Sequence, residues 1–140
     1  MKCTSLPSVY TDASYKYICR VPRLGVGIYF PKTGAKYAIG IKPTNRFVLD
    51  NNIGEMLAIA IGIRLHPTNL PLVVFTDSLC SIENIYEFNT TPKYRNLAES
   101  IRLLMKTRSE ETWIRHVRGH SGVRGNVIAD RLARRATQIK

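Results

Sequence analysis

A chain of 140 residues with 44% hydrophobic content can bury a core without disulfides or metals, which excludes a disordered tail and a small stapled scaffold. Its 21 lysines and arginines against 10 acids give a formal charge of +11, and an excess of that size points to an anionic partner, most simply nucleic acid. No signal peptide is visible, and the most apolar segment, Met56 to Leu65, is interrupted by Gly62 and Arg64 and too short to cross a bilayer. Val9 to Ser14 has the pattern of a first strand, Leu24 to Phe30 of a second, and Lys36 to Lys42 of a third that pairs back after the turn Pro31 to Gly34. Gly25 and Gly27 are too little for a nucleotide loop and mark a strand approached closely by another backbone. After a polar connection, Pro43 to Asn52, a helix is expected over Gly54 to His66. Its apolar residues cover most of the circumference, so it is buried, and Pro67 ends it. Leu70 to Phe75 runs apolar without alternation, as in a strand covered on both faces. Helices follow at Ser78 to Phe88 and Tyr94 to Lys106, a strand at Thr112 to Val117, and a last helix at Asn126 to Gln138.

Three strands, a helix, a strand, two helices, a strand and a helix make an α/β chain. The expected architecture is a mixed five-stranded sheet with helices on both faces, in one domain over residues 1–140, with residues 1–8 as an N-terminal extension. Cys3, Cys19 and Cys80 are odd in number and lack metal or redox spacing, which suits reduced thiols in a cytoplasmic or nuclear protein. The expected state is a monomer with no membrane partner.

The chemistry sits in five residues. Asp12 and Asp77 follow apolar strand residues, and the crevice beyond strand ends is the usual ligand site of an open α/β sheet. Each could also serve only as a helix cap. Glu55 opens the buried helix, where an enclosed carboxylate is costly unless a cation offsets it. Asp130 shares a helix face with Asn126, Ala129 and Ala133, although a surface pair with Arg134 would also account for it. His120 lies in a glycine-rich loop, between Gly119 and Gly122, a setting suited to moving protons or assisting product release. Four carboxylates on separate elements plus one loop histidine meet the needs of a divalent-metal phosphodiesterase. They would form a small negative pocket within a positive surface.

These residues fall in motifs that carry a resemblance. Tyr10-Thr11-Asp12-Ala13-Ser14, Asn51-Asn52-x-x-Glu55, Thr76-Asp77-Ser78 and Gly119-His120-Ser121-Gly122-x-x-Gly125-Asn126-x-x-Ala129-Asp130 occur in that order. The chain resembles the type 1 ribonuclease H family, including the domains carried by retroelement reverse transcriptases, over residues 10–133. The resemblance implies a ribonuclease H-like fold and hydrolysis of the RNA strand of RNA–DNA hybrids, leaving 5′-phosphate and 3′-hydroxyl ends. It implies that Asp12, Glu55, Asp77 and Asp130 hold two Mg²⁺ ions, for which Mn²⁺ can substitute, and that His120 aids deprotonation or product departure. Asn51 and Asn52 match asparagines that approach the substrate in the minor groove. Ser14, Ser78 and Asn126 join them as expected substrate contacts.

The chain departs from the family pattern at three places. Val127 stands where Glu is usual, which removes no metal ligand. The stretch between Asp77 and His120 accommodates two helices and a strand but hardly an extra helix with a basic protrusion. Asp50 precedes the asparagine pair where Thr is common, at the family's DNA-phosphate pocket. Hybrid affinity would then rest on other Arg and Lys residues, Arg131, Arg134 and Arg135 among them, or on a fused or associated domain such as a reverse transcriptase. Two other functions compete. A DNA strand-transfer or resolvase enzyme shares the fold and acid chemistry but lacks the Gly-His-Ser-Gly loop. A catalytically silent hybrid-binding or tethering domain of a larger polyprotein would have no need of the full acid set.

Overall fold

The computed structural model describes residues 6–42, 50–119 and 121–138. His120, Cys3 and most of the connection at 43–49 therefore lie outside the described residues. Five strands, β1 (Ser8–Ile18), β2 (Val21–Phe30), β3 (Ala35–Ile41), β4 (Leu72–Thr76) and β5 (Thr112–His116), form one sheet in the order β3-β2-β1-β4-β5. β1–β2 and β2–β3 are antiparallel, while β4 runs parallel to both β1 and β5. Helices α1 (Asn51–Arg64), α2 (Leu79–Ile85), α3 (Arg95–Lys106) and α4 (Arg124–Ala136) complete the α/β fold, with a 3-10 turn at Pro92–Tyr94. The mixed five-stranded sheet and its helices match the architecture expected from the pattern.

α1 packs against β1 and β2 and also meets α3. Met56, Ile59 and Ile63 are fully buried there with Val9, Val26 and Ile28. Each such side chain contributes roughly 1.5–3 kcal/mol relative to an exposed position. α4 packs on β1, β2 and β3, and glycines bring it close. A Cβ at Gly25 would fall 2.1 Å from the Ala133 carbonyl oxygen, and one at Gly27 would fall 2.0 Å from that of Ala129. The helix backbone thus rests on the strand, as the Gly25-x-Gly27 pair suggested. Gly125, in the first turn of α4, leaves room for the ring of Tyr10, which a Cβ would approach to 2.2 Å. These contacts set the height of α4 over β1, and with it the positions of Asn126 and Asp130.

Several boundaries differ from expectation. β1 continues past Ser14 to Ile18, because β2 pairs with it through Val21. The two strands meet in a tight turn whose central residues, Cys19 and Arg20, have φ of 52° and 65°. Such a turn usually announces itself by Asn-Gly, and this chain offers no such signal. α1 starts at Asn51 rather than Gly54. The Asp50 side chain accepts from the Ile53 N–H at 2.7 Å and caps the helix, which draws both asparagines into its first turn. α2 stops at Ile85 rather than Phe88, where Glu87 takes a left-handed φ of 62°. Asn84 anchors this exit by donating to the Cys80 carbonyl and accepting from the Thr91 N–H.

Candidate active site

β1 and β4 begin side by side, with Tyr10 opposite Phe75 and their rings stacked 4.9 Å apart. Two residues further along each strand direction stand Asp12 and Asp77. The parallel register is what brings them together. Tyr10 faces α4, so alternation directs Asp12 to the same face. Asp12 is not at a strand end, as the sequence pattern suggested, but in the middle of a long β1 whose partner on one side has stopped. This is a topological switch point, with β2 leaving on one side of β1 and β4 on the other.

Glu55 arrives from α1. Asp12, Glu55 and Asp77 each offer a carboxylate oxygen within 4.8 Å of the others. Asp12 is 4% exposed and Glu55 is 6% exposed. The Ala13 N–H donates to Asp12 Oδ1 at 2.9 Å and holds that carboxylate in place. Glu55 Oε1 is buried without a hydrogen-bond partner. Burial, followed by the charge of Asp77, pushes the Asp12 pKa up to about 7. Burial, followed by the charges of Asp12 and Asp77, pushes Glu55 much further above the ordinary carboxyl range. A cluster of this kind, with a buried acceptor and no cationic side chain among the described residues paired to it, fits a hard divalent cation.

All the candidate residues other than His120 line one open cleft of about 860 Å³. Asp130 belongs to its wall but not to the tight acid trio. Its oxygens are engaged by Arg134, with Oδ1 3.3 Å from Nε and Oδ2 3.2 Å from Nη2. The pair with Arg134 weighed at the sequence level is therefore formed, in the same cleft. Ser78 caps α2, its hydroxyl accepting from the Ser81 N–H at 3.1 Å. Asn126 is 5% exposed, and its Oδ1 lacks a partner. Ser14 follows Asp12 by two residues on β1, and Asn51 and Asn52 open α1 at the lip of the cleft. Gly119, the residue before His120, lies against Asp77, whose Oδ2 a Cβ there would approach to 3.1 Å. Gly119 thus sits beside one of the three acids.

The site also includes residues that the sequence argument passed over. Tyr15 and Lys16 line the cleft. The alternation Tyr15-Lys16-Tyr17-Ile18 was the available signal that β1 runs on beyond Ser14. Lys93 and Tyr94 reach Asp50 and Asn52 from the 3-10 turn, and nothing local in the sequence marks that contact.

A family model described as RNase H matches residues 7–138. Among solved structures, the fold is similar to that of RNase H1 from the halophilic archaeon Halobacterium salinarum NRC-1. The TM-score is 0.70 at 18% sequence identity, over 94% of this chain and 97% of that one. At that identity the likeness concerns the fold. No curated protein sequence is similar enough to add a relative.

Proposed function

Because the chain belongs to the ribonuclease H family, we propose that it hydrolyses the RNA strand of RNA–DNA hybrids to 5′-phosphate and 3′-hydroxyl ends. The observation that carries this reading is the convergence of Asp12, Glu55 and Asp77, with one Glu55 oxygen buried and unpartnered. Those three residues would hold divalent metal, Mg²⁺ or Mn²⁺, and Asp130 would complete the set for a second ion after turning from Arg134. When bound, such a pair supplies an activated water and charge stabilisation for the departing 3′-oxygen.

The chain's own groups do the rest. The Ala13 N–H orients Asp12. Gly119, lacking a side chain, leaves room for the Asp77 carboxylate against the loop backbone. His120, next along that loop, would move a proton or draw the new 5′-phosphate away. Asn51 and Asn52 would meet the minor groove, while Ser14, Ser78 and Asn126 line the approach. The positive chain would hold the polyanion around this negative centre.

The test is cleavage of a labelled hybrid across a Mg²⁺ titration, with double-stranded DNA and double-stranded RNA as controls. Asp12→Asn and Asp77→Asn are each expected to reduce hybrid cleavage at least about 10³-fold while circular dichroism remains that of the folded protein. Turnover by either variant near that of the parent protein would remove the metal assignment. Hybrid cleavage that persists in excess chelator would do the same.

A further inference from the structure

We infer that Tyr94 is a positioning residue for strand recognition, setting the Asn52 carboxamide so that its carbonyl oxygen is offered to a 2′-hydroxyl of the RNA strand. This deepens, and rests on, the hybrid-hydrolysis reading above. Asp50 stands at the N-cap of α1, directly before the asparagine pair. Asp50 accepts from the Ile53 N–H at 2.7 Å and lies 2.5 Å from Lys93 Nζ. Burial alone would raise its pKa. The Lys93 ammonium, the Ile53 N–H and the Tyr94 hydroxyl together hold it below the ordinary range. An ionised carboxylate only accepts hydrogen bonds.

The Tyr94 hydroxyl, 3.1 Å from Asp50 Oδ2, must therefore donate its one hydrogen there. What it has left for Asn52 is a lone pair. Asn52 Nδ2 lies 3.1 Å from that hydroxyl and donates into it. The opposite setting of the amide would place the carbonyl oxygen against an oxygen lone pair. The relay thus has one direction, from Asn52 to Tyr94 to Asp50, with Lys93 balancing the charge. It commits the Asn52 amino group and leaves the carbonyl oxygen to accept.

Asn52 and Glu55 stand three residues apart on α1, so they share a face of the helix, and both line the cleft. An acceptor one turn from the acid cluster would meet the sugars near the cleaved phosphate. A ribose 2′-hydroxyl can donate to it, and a deoxyribose cannot. Tyr94 is 7% exposed, so its ring is packed and the hydroxyl is held in place.

The experiment is a thermodynamic cycle between the protein and the substrate. Hybrid affinity is measured by fluorescence anisotropy in Ca²⁺, and single-turnover cleavage in Mg²⁺. The substrates are an all-RNA strand and strands with one 2′-deoxy substitution stepped through the site. Wild type is expected to lose about 2- to 10-fold in affinity at one position near the scissile phosphate, the worth of one neutral hydrogen bond. Tyr94→Phe keeps the buried ring and is expected to lose a similar factor on the all-RNA strand and nothing further at that position. Asp50→Asn retains a good helix cap. It should reproduce the pattern, because the fixed acceptor for the Tyr94 hydrogen is gone. Losses that multiply independently in both variants overturn the positioning role while leaving the hybrid reading intact. A wild type that binds an all-DNA duplex as tightly as the hybrid overturns the hybrid reading and this inference with it.

Discussion

Three carboxyl groups gathered inside a protein cannot all be ionised cheaply unless a cation joins them. Asp12, raised by burial and Asp77 from 3.8 to about 7, keeps a proton in the folded state that the unfolded chain releases at lower pH. The sign follows. The stabilisation from that proton is complete below about pH 4 and is lost as pH rises through 7, at up to about 1.4 kcal/mol per pH unit. In chelator, urea unfolding is expected to show wild type losing stability relative to Asp12→Asn between pH 4 and 7, and Mg²⁺ should restore the difference at neutral pH. His66, lowered by burial and then by Arg108, tilts the other way below its ordinary value of 6.5 but is common to both proteins and cancels. Parallel stability curves for the two proteins would contradict the raised Asp12. His120 calls for a different measurement. His120→Ala is expected to slow turnover about 10²- to 10⁴-fold, as for a proton-transfer helper, with Mg²⁺ affinity by calorimetry unchanged. Equal losses in single-turnover and steady-state rates assign it to chemistry, and a loss confined to steady state assigns it to release. Loss of Mg²⁺ binding would make it a ligand instead.

At the scale of elements, the close seat of α4 on β2 positions one side of the cleft. A Cβ at Gly27 would meet the backbone of Ala129 rather than the tip of a flexible side chain, so the helix itself must move. Gly27→Ala is expected to cost at least about 3 kcal/mol, at the upper end of overpacking penalties. It should also lower hybrid cleavage at temperatures where thermal melts show the protein still folded, because Asp130 travels with α4. A variant with parental melting temperature and activity would show that the contact is not tight. The same pair of glycines was legible in the sequence as a close approach, since no side chain could otherwise be absent twice from a strand core at little cost. The ends of elements were less legible. Asp50 looked like part of a polar connection until its hydrogen bond to Ile53 made it a cap. Cys19 and Arg20 gave no hint of a two-residue turn, whose left-handed backbone most residues disfavour by roughly 1 kcal/mol or more. Strand pairing on both sides imposes it.

Over the whole molecule, the decisive quantity is charge. Of 10 acids, four are candidates for the site, against 21 lysines and arginines in the chain. Hybrid affinity is therefore expected to fall linearly as log salt rises, with a slope of roughly 0.9 per phosphate neutralised on a duplex-like substrate. Anisotropy titrations from low to physiological salt would measure it. A flat response would mean that the basic surface is not the binding surface. No described helix is long and apolar enough to cross a membrane. The fold resembles that of the archaeal RNase H1 at 18% identity, so the shared architecture needs few identical side chains. Apolar patterning can be kept while the particular hydrophobic residues change.

The amino-acid sequence by itself determined the kinds and order of the elements, because hydrophobic period, prolines and glycines act locally. It also singled out the candidate acids, since Asp12 and Asp77 follow apolar strand residues and Glu55 and Asp130 sit on helices with apolar faces. Only the tertiary structure decided which of these acids meet. The parallel register of β1 and β4 sets Asp12 beside Asp77, and the packing of α1 delivers Glu55 to them. It left Asp130 in the same cleft but in the grip of Arg134. It joined Asn52 to Tyr94 across 42 residues of chain. Contacts of that range depend on how strands pair and helices seat, and a sequence carries no local mark of them.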